Sequence, residues 1–142
     1  MPTRTAEATW NGRLKDGDGT MALGSGAFEG PYSFGSRFED AEGTNPEELI
    51  GAAEAGCFAM ATALALEEEG FDPERVHAET EVHLERVEGD FTITKIDLTA
   101  EGTVPDATEE EFVEVAMDAK ENCPVSKALA ATDIELTASL AE

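Results

Sequence analysis

The chain has 142 residues, with 32 Asp and Glu against 9 Lys and Arg, a formal net charge of −23 and 41% apolar residues. Such a surface repels phosphate backbones, which proteins bind by releasing counterions with Lys and Arg, so a nucleic-acid-binding role is excluded. The length fits one domain, residues 1-142, the apolar fraction is that of a folded chain, and two cysteines are too few for a disulfide scaffold.

Thr3 to Trp10 alternates Ala6, Ala8 and Trp10 on one side, which predicts a strand, and no positively charged start joins an apolar run there, which favours a cytoplasmic location. A turn over Lys15-Asp16-Gly17-Asp18-Gly19 leads back through Thr20 to Leu23 as the second arm of a hairpin. Glycines dominate from Gly24 to Gly43, a stretch read mostly as loop with a short extended piece around Tyr32 to Phe38. The central stretch then runs from Asn45 to Glu69. Asn45 can cap a helix, Pro46 suits the first helical position, and Gly70 closes the run, giving about 36 Å of helix at the standard rise. Between Leu49 and Leu66 nearly every residue is apolar, Glu54 being the only charge, so this helix belongs in a core. Its many Ala and Gly residues suit close packing against another helix better than contact with lipid, so no membrane partner is expected.

Val76 to Val87 alternates as a strand, Glu88-Gly89-Asp90 turns, and Phe91 to Val104 returns with a change of apolar parity near Thr94-Lys95, the mark of a bulge. Thr108 with Glu111 makes a capping box for a further helix, a short helix follows over Pro124 to Ala131, and Ile134, Leu136, Ala138 and Leu140 alternate as a last strand. The order predicts an α+β domain with helices against antiparallel sheets and a long buried central helix. One sheet covers only one side of a helix that is apolar all round. An intimate two-fold homodimer, with the central helices packed together, supplies the remaining cover. The acidic runs, such as Glu67-Glu68-Glu69 and Glu109-Glu110-Glu111, resemble a halophile's surface, whose self-repulsion concentrated salt screens.

Four residues stand out chemically. Cys57 lies in the middle of the central helix, where a cysteine is equally well a small core hydrophobe. Cys123, in Asn122-Cys123-Pro124-Val125-Ser126, falls at a helix cap, where the helix start favours thiolate. Arg37, beside Phe38 and just ahead of the central helix, is either a surface arginine or a guanidinium able to hold a thiolate. Glu47 is a first-turn carboxylate, but with Asn45 as the cap the capping-box position is Glu48, which leaves Glu47 free for another partner. Glu47 and Cys57 are about 15 Å apart along one helix, so Glu47 would act on the Cys57 of a partner subunit. His77, Glu79, Glu81 and His83 share a strand face, but the two histidines lie about 20 Å apart, too far for one metal site, and no metal is expected.

These residues carry a resemblance. Gly35-Ser36-Arg37-Phe38-Glu39, Gly43 to Ala53, Ala55-Gly56-Cys57-Phe58, Phe91 to Ile96 and Asn122-Cys123-Pro124-Val125-Ser126 resemble, in order, the OsmC family of osmotically inducible and organic hydroperoxide resistance proteins. The resemblance implies an OsmC-like fold in an intertwined homodimer and a thiol-dependent peroxidase acting on organic hydroperoxides. Cys57 would attack the peroxide, Cys123 would resolve the sulfenic acid as a disulfide, and Arg37 and Glu47 would assist the first step. It implies no bound cofactor but an external dithiol reductant, for which lipoylated proteins can serve. Gly56 and Glu54 depart from the better-known relatives. The alternative is a non-catalytic, stress-related ligand-binding protein with the same fold.

Overall fold

Period-two alternation near the N-terminus becomes a small antiparallel sheet of β1 (Ala6–Asn11), β2 (Asp18–Leu23) and β3 (Glu29–Tyr32), in that order across the sheet. The structure, a computed structural model, describes residues 2–142. Gly19 pairs with both Trp10 and Tyr32, whose rings meet at 5.4 Å between centroids. A Cβ at Gly19 would lie 2.6 Å from the Tyr32 ring and 2.7 Å from Trp10, so glycine is what lets the two aromatics close over the strand.

The glycine-rich stretch read as loop holds β3 and a short helix, α1 (Phe34–Phe38), where an extended piece was expected. Ser33 caps α1 and accepts from the Ser36 N–H, while the Ser36 side chain returns the bond to the Ser33 N–H. Ser36 also donates to the Thr44 carbonyl at 2.7 Å, which seats the segment leading to the long helix. That helix, α2 (Pro46–Glu68), starts as the sequence predicts: Asn45 accepts from the Glu48 N–H at 2.8 Å with Pro46 first in the helix.

Two compact units divide the chain, Met1–Leu49 and Ile50–Glu142. In the second, β4 (Arg75–Val87) and β5 (Asp90–Thr103) pair antiparallel, and β6 (Asp133–Leu140) joins the far side of β5. The register steps from His83↔Lys95 to Leu84↔Ile93, leaving Thr94 as the extra residue, the bulge that the parity change predicts. The sheet is mixed rather than antiparallel throughout, because β6 runs parallel to β5. The crossover that parallel pairing needs is supplied by α3 (Glu109–Asn122), which carries the predicted Thr108–Glu111 capping box, and by α4 (Pro124–Ala128), shorter than the expected helix.

Phe58 on α2 packs with Ile96, Leu98 and Ala100 of β5, Ala116 of α3 and Ile134 of β6, and Leu66 makes a second cluster with Val104 and Phe112. Within the second unit and among the described residues, α2 buries one face: Glu54, Phe58, Thr62 and Leu66 are buried, while Ala52, Ala53, Gly56, Met60 and Leu64 are exposed. By length and composition alone α2 could cross a bilayer, with a mean hydropathy of 1.7 over its most apolar window. Its buried face, however, carries a carboxylate and a hydroxyl and is packed on the sheet and α3.

Candidate active site

Mid-helix spacing on α2 turns Cys57 toward the head of α4, where Cys123 stands as the cap. Pro124 is the first helical residue there, as the sequence predicts, and the Cys123 N–H closes α3 on the Ala119 carbonyl at 2.9 Å. Both cysteines are free thiols, Cys57 half-buried and Cys123 fully buried. The two thiols are near neighbours, each within reach to act on the other, and the Val125 backbone lies near Cys57 as well. Burial pushes the Cys57 thiol up, and the neighbouring Cys123 adds to it. Val125 opposes this, and the nearby Glu54 charge pushes the same way as burial. On balance these neighbours favour the protonated thiol over the thiolate.

Arg37 and Glu47 form the second pair. The guanidinium donates from Nε to Oε1 at 3.1 Å and from Nη2 to Oε2 at 2.9 Å, a bidentate fork on a carboxylate that is only 7% exposed. Glu48 is engaged instead with Thr44, whose hydroxyl donates to it at 2.7 Å, so the capping argument that frees Glu47 holds. The four predicted residues thus fall into two couples, Cys57 with Cys123 and Arg37 with Glu47. Glu47 and Cys57 are ten positions apart on α2, about 15 Å of rise.

Sequence reasoning missed what Glu54 does. It is fully buried, and the Ser126 hydroxyl lies 3.0 and 2.8 Å from its two oxygens. A lone charge in an apolar run was visible, but nothing local points to a partner 72 residues on. An open, largely apolar hollow of about 820 Å³ borders Cys57 and is lined by Met60, Leu64, Asn122 and Pro124 among others.

The histidine face also gains a residue that single-strand spacing does not show. Glu81, His83 and Asp97 bring metal-ligating atoms within 4.8 Å of one another, because Asp97 lies opposite Glu81 on β5. His83 Nε2 already meets Asp97 at 2.8 Å and the Lys95 ammonium meets it at 3.5 Å, and His83 first, then Lys95, holds the Asp97 carboxyl below its usual range. Ordinary ion pairing thus satisfies this carboxylate.

Two free thiols that are near neighbours, one on a long helix and one at a helix cap, define a dithiol centre on an α+β frame. The OsmC-like protein family profile matches residues 39–138, and the chain belongs to that family. It is 45% identical over 129 residues to the peroxiredoxin OsmC of Escherichia coli strain K12, an alignment covering 90% of each chain. Among solved structures, the organic hydroperoxide resistance protein OhrB of Bacillus subtilis superposes with a TM-score of 0.72 at 26% identity, covering 96% of this chain and 98% of that one. An organic hydroperoxide resistance protein from Elizabethkingia anophelis superposes with a TM-score of 0.76 at 25% identity over 99% of both chains.

Proposed function

We propose that this chain is a thiol-dependent peroxidase that reduces organic hydroperoxides to alcohols. The observation that carries the reading is that Cys57 and Cys123 are neighbouring free thiols in a chain 45% identical to a peroxiredoxin. The Cys57 thiolate attacks one peroxide oxygen, the O–O bond breaks, and the alkoxide leaves and takes a proton to become the alcohol. Cys57 is then a sulfenic acid. Cys123 attacks its sulfur, an S–S bond forms, and the hydroxyl leaves with the Cys123 proton as water, which protects Cys57 from further oxidation. Two electrons from an external dithiol, such as a lipoylated protein, reopen the disulfide by exchange. The apolar hollow beside Cys57 suits an alkyl chain better than a small polar peroxide.

The cation that the thiol needs is Arg37 of a partner subunit, oriented by its Glu47 and brought to Cys57 by packing two copies of α2 across a two-fold axis. What supports this is the exposed apolar stripe of Ala52, Ala53, Gly56, Met60 and Leu64, together with the distance along α2 from Glu47 to Cys57. Small residues in that stripe let two helix backbones approach closely, and a homodimer would bury it.

The test is consumption of cumene hydroperoxide with dihydrolipoamide in concentrated salt. Turnover supports the enzyme over a non-catalytic ligand-binding protein, and folded protein that consumes nothing refutes it. Arg37→Ala is expected to lower kcat/KM by about 10²-fold or more, because it removes the donor that meets the leaving oxygen. Arg37→Lys recovers little, since an ammonium cannot take the bidentate place on Glu47. Met60→Glu is expected to halve the mass seen by light scattering and to abolish turnover together with the dimer. A fully active monomer would contradict the shared site.

A further inference from the structure

Burying a carboxylate in a helix core is a poor way to gain stability, since an apolar side chain of similar size carries no desolvation cost. Glu54 is nevertheless fully buried. Its place is specific. Glu54 and Cys57 are three residues apart on one face of α2, and Ser126 and Cys123 are three residues apart at the head of α4, so the Glu54–Ser126 and Cys57–Cys123 pairs form two successive rungs between the same elements. A serine hydroxyl has one proton to give, so two carboxylate oxygens at 3.0 and 2.8 Å share a single donor and keep spare acceptor capacity.

We propose that Glu54, anchored on Ser126, is a positioning residue for the thiol pair: it fixes the head of α4 against α2 and sets a negative charge beside Cys57 that restrains its reactivity. The groups that act on Glu54 are Ser126 of α4 by its hydrogen bond and Lys120 of α3 by its charge, and Glu54 in turn acts on Cys57 of its own helix. Burial pushes the Glu54 carboxyl up, while Ser126 and then Lys120 pull it back. A negative charge on Glu54, three residues from Cys57 on the same helix, opposes loss of the Cys57 proton. The catalytic consequence rests on the peroxidase reading. In the assembled site the Glu54 charge works against the guanidinium, which tempers the thiol and limits its adventitious oxidation.

Two measurements that need no peroxide test this. The first is iodoacetamide labelling of Cys57 across pH, read on its own peptide by mass spectrometry, in wild type and in Glu54→Gln, which keeps the shape and the bond to Ser126 but not the charge. The variant is expected to label about threefold faster or more near pH 8, with the profile displaced to lower pH. The second is the rate at which diamide closes the Cys57–Cys123 disulfide, expected to fall several-fold in Ser126→Ala, where the carboxylate remains but its anchor is gone. Superimposable labelling profiles in folded protein would overturn the electrostatic role, and wild-type disulfide closure in Ser126→Ala would overturn the anchoring role. Faster labelling in a protein that consumes no hydroperoxide would refute the peroxidase and leave the assignment of Glu54 intact.

Discussion

Cys57→Ser is expected to abolish hydroperoxide turnover, with a fall on the order of 10³-fold or more in kcat/KM. Serine is nearly isosteric, so helix α2 and its packing on Ile96 and Leu98 are undisturbed, but a hydroxyl gives no useful anion near neutral pH and is a poor nucleophile toward a peroxide. The control is Cys123→Ser. It leaves the first attack in place, so about one equivalent of peroxide is consumed quickly and Cys57 is left as a sulfenic acid that dimedone traps. Afterwards turnover depends on whether the dithiol reduces that acid directly. A Cys57→Ser protein with a tenth of wild-type activity would show that the nucleophile is elsewhere.

Phe112→Ala is the substitution expected to cost the fold most. Phe112 is fully buried against Leu66 of α2 and Val104, and Gly102 of β5 lies so close beneath its ring that a Cβ there would come within 2.4 Å of it. The ring fills a seat that no neighbour can collapse into, so truncation should cost about 3–5 kcal/mol, the range for a large aromatic removed from a core. That is a large share of a typical domain's stability, and the thermal midpoint should fall by about 10 °C or more. Below the transition the thiols are untouched by the change, so labelling of Cys57 should match wild type. A loss under about 1 kcal/mol would mean that this core is not packed as described.

How far the sequence could be read depended on how local each signal was. Asn45, Pro46 and Gly70 bounded α2, and Thr108 with Glu111 placed the start of α3, because caps are written within three or four residues. The bulge at Thr94 was visible as a change of parity. By contrast, β3 and α1 were hidden. Ser36 closes the α1 capping box where a Glu or Gln is the usual sign, and β3 is defined by its pairing with β2. Alternation along β6 fixed which side chains face the core but could not say that the strand runs parallel to β5. In the site, the capping argument left Glu47 free for another partner without pointing to Arg37, and the role of Glu54 stayed hidden because Ser126 is distant in the chain.

The central claim is that a hydroperoxide drives Cys57 and Cys123 into a disulfide. The most direct test is the intact mass of reduced wild-type protein after one equivalent of cumene hydroperoxide, in concentrated salt, with a peptide map of the product. A loss of two hydrogens, a crosslinked peptide joining Cys57 to Cys123, and recovery of both with dihydrolipoamide are the predicted result. Unchanged mass with the peroxide still present, or oxygen added to methionine while both thiols remain free, would contradict it.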